Sequence, residues 1–145
     1  MDTFRILSPH RVAYLDFTGS GAETIAHLRE NGRIVFMFCA FQGPPKIVRL
    51  HGKGKVVLAD SAEFESYRLL FSETAGARSV IVTELVRVGE SCGLGVPRYD
   101  YVSSQDGLIR WAKTKGEAEL AEYRQKKNRF SLDGLPALAA EAAAG

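Results

Sequence analysis

The chain has little that would staple, anchor or strongly charge it. Its 145 residues include two cysteines, Cys39 and Cys92, which stand 53 positions apart. Neither belongs to a C-x-x-C pair, which argues against a disulfide scaffold and a zinc ribbon and fits a reducing, cytoplasmic setting. The longest unbroken apolar run is the eight residues from Ile34 to Phe41, far short of the roughly 20 needed to cross a bilayer. No charged segment followed by an apolar one opens the chain, so no signal peptide is expected. Nineteen basic residues against seventeen acidic ones leave a net charge of +2, which argues against a dedicated nucleic-acid binder. No HExxH, EF-hand or Walker pattern occurs. The three histidines, His10, His27 and His51, have no nucleophile at a recognisable spacing. No metal site and no catalytic residue is therefore assigned.

What remains is a chain able to bury a core without staples. Hydrophobic residues make up 46% of it and charged residues 25%, an ordinary globular balance. One domain is expected over 1–138, followed by an Ala-rich tail over 139–145 that frays.

The pattern of residues divides this domain into strands and helices. Residues 11–17, RVAYLDF, read as a strand. Gly19, Ser20 and Gly21 break it, and a helix is expected over 22–31. Ser20 and Glu23 stand at capping-box spacing, and Asn31-Gly32 supplies the stop. Residues 33–41 read as a central strand buried on both faces. Gln42-Gly43-Pro44-Pro45 turns the chain back into a long strand over 46–59. There a two-residue period puts Ile47, Arg49, His51, Lys53 and Lys55 on one face and Val48, Leu50, Gly52, Gly54 and Val56 on the other. Gly52 and Gly54 suggest a bent barrel strand or a close backbone approach. Further elements are a helix over 61–71, a strand over 78–88, a loop over 90–97, and a helical region over 108–128 broken near Gly116. The short turn at 42–45 requires a hairpin. The expected architecture is α+β: a small, mainly antiparallel barrel with short inserted helices and helices at the C-terminus.

Three features could bind a ligand. The Gly19-Ser20-Gly21 turn before a helix could seat an anion, or serve only as a capping turn. The comb of Arg49, His51, Lys53 and Lys55 could hold an anion, or be a solvated strand face. Trp111, Tyr99 and Tyr101 could stack on a planar ring, or anchor a core.

The order of segments carries further than any one motif. The stretch RVAYLDFTGSGAETIAHLRENGRIVFMFCAFQGPPKIVRLHGKGKVV, residues 11–57, resembles the pyridoxamine 5'-phosphate oxidase-like family in its strand, Gly/Ser turn, short helix, apolar strand, turn and glycine-bearing strand. The run Ser91-Cys92-Gly93-x-Gly95-Val96-Pro97 and the later Lys127-Asn128 with Ser131-x-Asp133-Gly134-Leu135-Pro136 look like one bacterial branch of that family. The resemblance implies a split β-barrel, a homodimer with FMN between subunits, and an oxidoreductase acting on a small-molecule substrate that the sequence does not identify. It implies phosphate or ribityl contacts from Thr18, Ser20 and Thr24, cleft-lining cations at Lys46 and Arg49, and Trp111 as a cover.

Two departures qualify this. Glu23-Thr24 stands where relatives often carry an Arg-Lys pair. The usual N-terminal strands, with a Ser-Pro-Lys turn, are absent before Met1, which would leave a sheet edge unpaired. The alternative is a non-catalytic dimeric module that holds flavin, a deazaflavin or no cofactor.

Overall fold

The computed structural model describes residues 2–139. The expected tail falls almost entirely outside them, apart from Ala139.

The sheet has five antiparallel strands in the order β1-β2-β5-β4-β3. They are β1 (Phe4–Ser8), β2 (Arg11–Phe17), β3 (Arg33–Cys39), β4 (Lys46–Leu58) and β5 (Ala77–Cys92). No ladder joins β1 to β3. The two edges instead meet through side chains, with the Phe4 ring 5.4 Å from Phe36 and 5.1 Å from Phe38. Tyr14 adds a third edge-on ring contact to Phe36, at 5.7 Å. The sheet is therefore curled like a split barrel and its seam is aromatic, not hydrogen-bonded.

Alternation along the strands builds two cores. Ala13, Leu15, Val57, Val80 and Val82 turn to one face, where Phe64 and Phe71 from the α2 region (α2, Phe64–Arg68) cover them. Tyr14, Val56 and Ile81 turn to the other, where helix α1 (Glu23–Asn31) lays Ile25, Ala26 and Leu28 over them. The helix ends as its sequence predicts, with Gly32 in the left-handed region at φ 69° and its N–H bonded to the Leu28 carbonyl.

The two glycines of β4 allow close approaches. A Cβ on Gly52 would lie 2.4 Å from the Glu84 carbonyl oxygen, and one on Gly54 would lie 2.7 Å from Leu28 Cδ2. Gly52 sits where the register of β4 and β5 shifts between His51 and Gly52. The extra residue there is Val86, a β-bulge that bends the pair. Gly54 is the seat for α1.

Several expectations are corrected. The segment before residue 11 contains β1, paired with β2 through Phe4↔Tyr14 and Ile6↔Val12. β5 continues to Cys92, into the expected loop, because the first residues of β4 need ladder partners: Lys46 pairs with Cys92 and Val48 with Glu90. The second helix is one short turn and a half, Phe64–Arg68. β3 is an edge strand with Val35 and Met37 exposed, so it is not buried on both faces. Helix α3 (Gly107–Lys127) is interrupted at Gly116, φ 70° and ψ 168°, as its sequence suggests. Ala137 is fully buried against the α1 core, so the chain is still packed there. No helix among the described residues is long and apolar enough to cross a membrane.

Candidate functional site

The turn between β2 and α1 is built from the inside. Arg78, on β5, donates through Nε and Nη2 to both carboxylate oxygens of Asp16, at 2.7 and 3.2 Å. Its Nη1 donates to the Gly21 carbonyl at 2.7 Å and to Asn128 Oδ1 at 2.9 Å. Asn128 Nδ2 completes the circuit on the Gly19 carbonyl at 2.9 Å, and Ser79 Oγ donates to Asp16 at 2.9 Å. A buried guanidinium with a paired carboxylate and filled hydrogen bonds is the form in which such charges persist inside a protein. Here they clamp the carbonyls of the Gly19-Ser20-Gly21 turn.

The capping box is not formed. The helix begins at Glu23 behind Ala22, which has no side chain able to cap. Glu23 is then the first helical residue and not the third, so it cannot reach back to the cap amide. It turns outward and accepts the Leu132 N–H, at 3.1 and 3.2 Å to its two oxygens.

The six residues assigned to a cofactor fall into separate places. Thr18 is 1% exposed, and its hydroxyl accepts from Arg124 Nε at 3.0 Å. Ser20 is exposed in the clamped turn. Thr24 is exposed on α1 and hydrogen-bonds the Tyr14 phenol, beside a shallow hollow of about 240 Å³ formed with Ile34, Val35 and Phe36. Burial, and secondarily the Asp16 carboxylate, push the Tyr14 phenol up to about 12. Tyr14 therefore keeps its proton and is no general base near neutral pH.

Arg49 stands opposite Met37, two positions along β3 from Val35, or about 7 Å at strand rise. It donates to Ser91 Oγ at 2.8 Å and forms no ion pair with a described carboxylate, so its charge is uncompensated. Lys46 lies farther along and is paired with Glu90 at 3.0 Å. Trp111 is on α3, packed edge-on against Tyr123 at 5.2 Å. α3 lies at the end of the sheet where β4 finishes, since Arg124 and Leu58 line one cavity. Lys46 begins that strand, so Trp111 and Lys46 are at opposite ends of a single copy. The comb is likewise divided: Lys53 bonds the Asn31 carbonyl and Lys55 pairs with Glu63.

The hollow suits a planar aromatic group. Its walls are Tyr14, Ile34, Val35 and Phe36, and Thr24 offers a hydroxyl at its rim; Arg49, paired with Met37, is on the sheet face of Val35, opposite that of Ile34 and Phe36. Sequence reasoning had named Thr24 and Arg49. It missed Tyr14, Phe36, Arg78 and Asn128, whose roles depend on partners far away in the chain.

No protein-family model matches the chain. It is 41% identical over 151 aligned residues to the pyridoxamine 5'-phosphate oxidase family protein ustO of Aspergillus flavus. The alignment covers 94% of this chain and 61% of the fungal protein, so the chain spans about three-fifths of the relative's length. The antiparallel five-stranded sheet with its few helices agrees with that likeness. By sequence and architecture together, the chain belongs to the pyridoxamine 5'-phosphate oxidase family.

Proposed function

We propose that the protein binds FMN and works as a flavin-dependent oxidoreductase on a small molecule. The observation that carries this reading is the aromatic hollow at Tyr14, Thr24 and Phe36, in a chain 41% identical to a pyridoxamine 5'-phosphate oxidase family protein. A flat apolar ring is the chemistry such a hollow recognises, and Arg49, which has no ion pair among the described residues, is the proposed cation for an anionic tail. Flavin, when bound, supplies the hydride and electron chemistry, and the protein orients it and excludes water. Thr24 and Arg49 are assigned direct contacts, with Ser20 and Lys46 at the margins.

We infer further that two copies pair across this region. Val35, Met37 and Phe38 are exposed apolar side chains of β3, whose outer edge has no strand partner among the described residues. Pairing would cover them. The two free thiols, Cys39 and Cys92, suit a reducing cytoplasm.

A second reading, a non-catalytic flavin or deazaflavin carrier, is favoured by one observation. Tyr14 is the only titratable side chain among the five that line the hollow, and it is held protonated.

Native mass spectrometry of the purified chain tests these statements together. One flavin per chain in a two-chain particle is expected. Arg49→Glu and Thr24→Glu should each weaken FMN uptake by at least tenfold. A colourless protein that takes up neither added FMN nor a deazaflavin would sink the proposal. Reduction of bound flavin by a nicotinamide donor separates the enzyme from the carrier.

A further inference from the structure

A second constellation lies on the outer side of α1, apart from the hollow. Glu23 and His27 are one helical turn apart, and neighbours four positions apart share a helix face. Asp133, more than a hundred positions later, is brought against them by the loop that follows α3. One ligand atom from each of the three lies within 4.8 Å of the other two.

The loop is shaped to do this. Ser131 N–H bonds the Leu135 carbonyl at 2.9 Å, and Leu135 N–H donates to Ser131 Oγ at 2.9 Å. Ser131 Oγ in turn donates to the Asp133 carboxylate. The Leu132 N–H anchors the loop to Glu23. Two carboxylates are thereby held together with no Lys or Arg paired to either among the described residues; His27 is the only charged partner either has.

The His27 Nε2 to Asp133 Oδ1 distance is 3.8 Å. That is too long for a hydrogen bond. Two donors about 2.1 Å from a shared tetrahedral ion would be roughly 3.4 Å apart, so an adjustment of about 0.4 Å suits this pair, and Glu23, within 4.8 Å of both, would swing in to complete the shell.

We propose that Glu23, His27 and Asp133 form a site for a divalent first-row transition metal ion, with zinc as the reference ion. One imidazole and two carboxylates are a borderline donor set, which suits Zn²⁺ or Mn²⁺ over Ca²⁺ and Mg²⁺. Three protein ligands leave an open coordination position, as in reactive zinc centres. His27 and Asp133 also line a groove of about 940 Å³ that includes Arg33, His51, Lys53 and Arg87. The site therefore borders a groove in which Arg33, Lys53 and Arg87 outnumber the carboxylates of Glu30 and Asp133, which suits an anionic exogenous ligand. None of the three residues lines the aromatic hollow, so the site stands or falls independently of flavin binding.

The test is calorimetric titration of zinc chloride into untagged, chelator-stripped protein. Saturable binding of one ion per chain in the micromolar range is expected. His27→Gln, Asp133→Asn and Glu23→Gln should each weaken it by at least tenfold, and His10→Gln should leave it unchanged. Glu23→Gln and Asp133→Asn keep acceptors for Leu132 and Ser131, and circular dichroism would confirm that each variant is folded. Absence of saturable binding, binding indifferent to His27→Gln and Asp133→Asn, or tighter binding of Ca²⁺ than of Zn²⁺ would each overturn the assignment.

Discussion

Replacing Arg78 with methionine should be among the most damaging single changes in this chain. The side chains of Arg78 and Asp16 are 8% and 13% exposed. Methionine would fill much of the volume, yet it would strand the Asp16 carboxylate with Ser79 as its remaining described side-chain donor and would free the Gly21 carbonyl. Breaking a buried ion pair from one side costs about 3–5 kcal/mol. In a domain near this size each kcal/mol moves Tm by about 2–4 °C, so a drop of roughly 10 °C is expected by calorimetry. Asp16→Asn should destabilise the parent protein. In the Arg78→Met background it should recover about 2 kcal/mol, because it removes the stranded charge. A loss below about 1 kcal/mol for Arg78→Met, or strictly additive effects in the pair, would refute the claim that this clamp holds the turn before α1.

Gly52→Ala tests the bulge. An unobstructed strand glycine gains stability on this change, whereas contact at 2.4 Å with the Glu84 carbonyl should cost about 1–3 kcal/mol, read as a lower urea midpoint. Gly54→Ala should also destabilise, and Leu28→Ala should offset part of that loss because the obstruction at Gly54 is the Leu28 side chain; a double-mutant cycle in urea shows the coupling. Tyr14 should ionise well above the ordinary tyrosine range in an ultraviolet titration. Its folded pKa, about 12, lies above the ordinary tyrosine value of 10.0, so its contribution to stability is complete below pH 10 and is lost as the pH rises toward 12. Tyr14→Phe should flatten that part of the alkaline unfolding curve.

Some of this protein was legible before any coordinates. Local chemistry determined the α1 stop at Asn31-Gly32, the hairpin at Gln42–Pro45, the two-faced β4 and the break at Gly116. Each depends on residues a few positions apart, where backbone preference and side-chain period act directly. Tertiary structure alone decided the rest. β5 extends through Ser91 and Cys92 because β4 needs a partner there, and a polar strand end lacks the hydrophobic alternation that would announce it. Glu23 abandons the cap for the Leu132 amide, 109 positions away. Arg78 meets Asp16 across 62 positions, and Asp133 meets His27 across more than a hundred. Such pairings are chosen by which faces come together when the sheet curls. A polar side chain carries the same local signal whether its partner is water, a carbonyl or a distant charge.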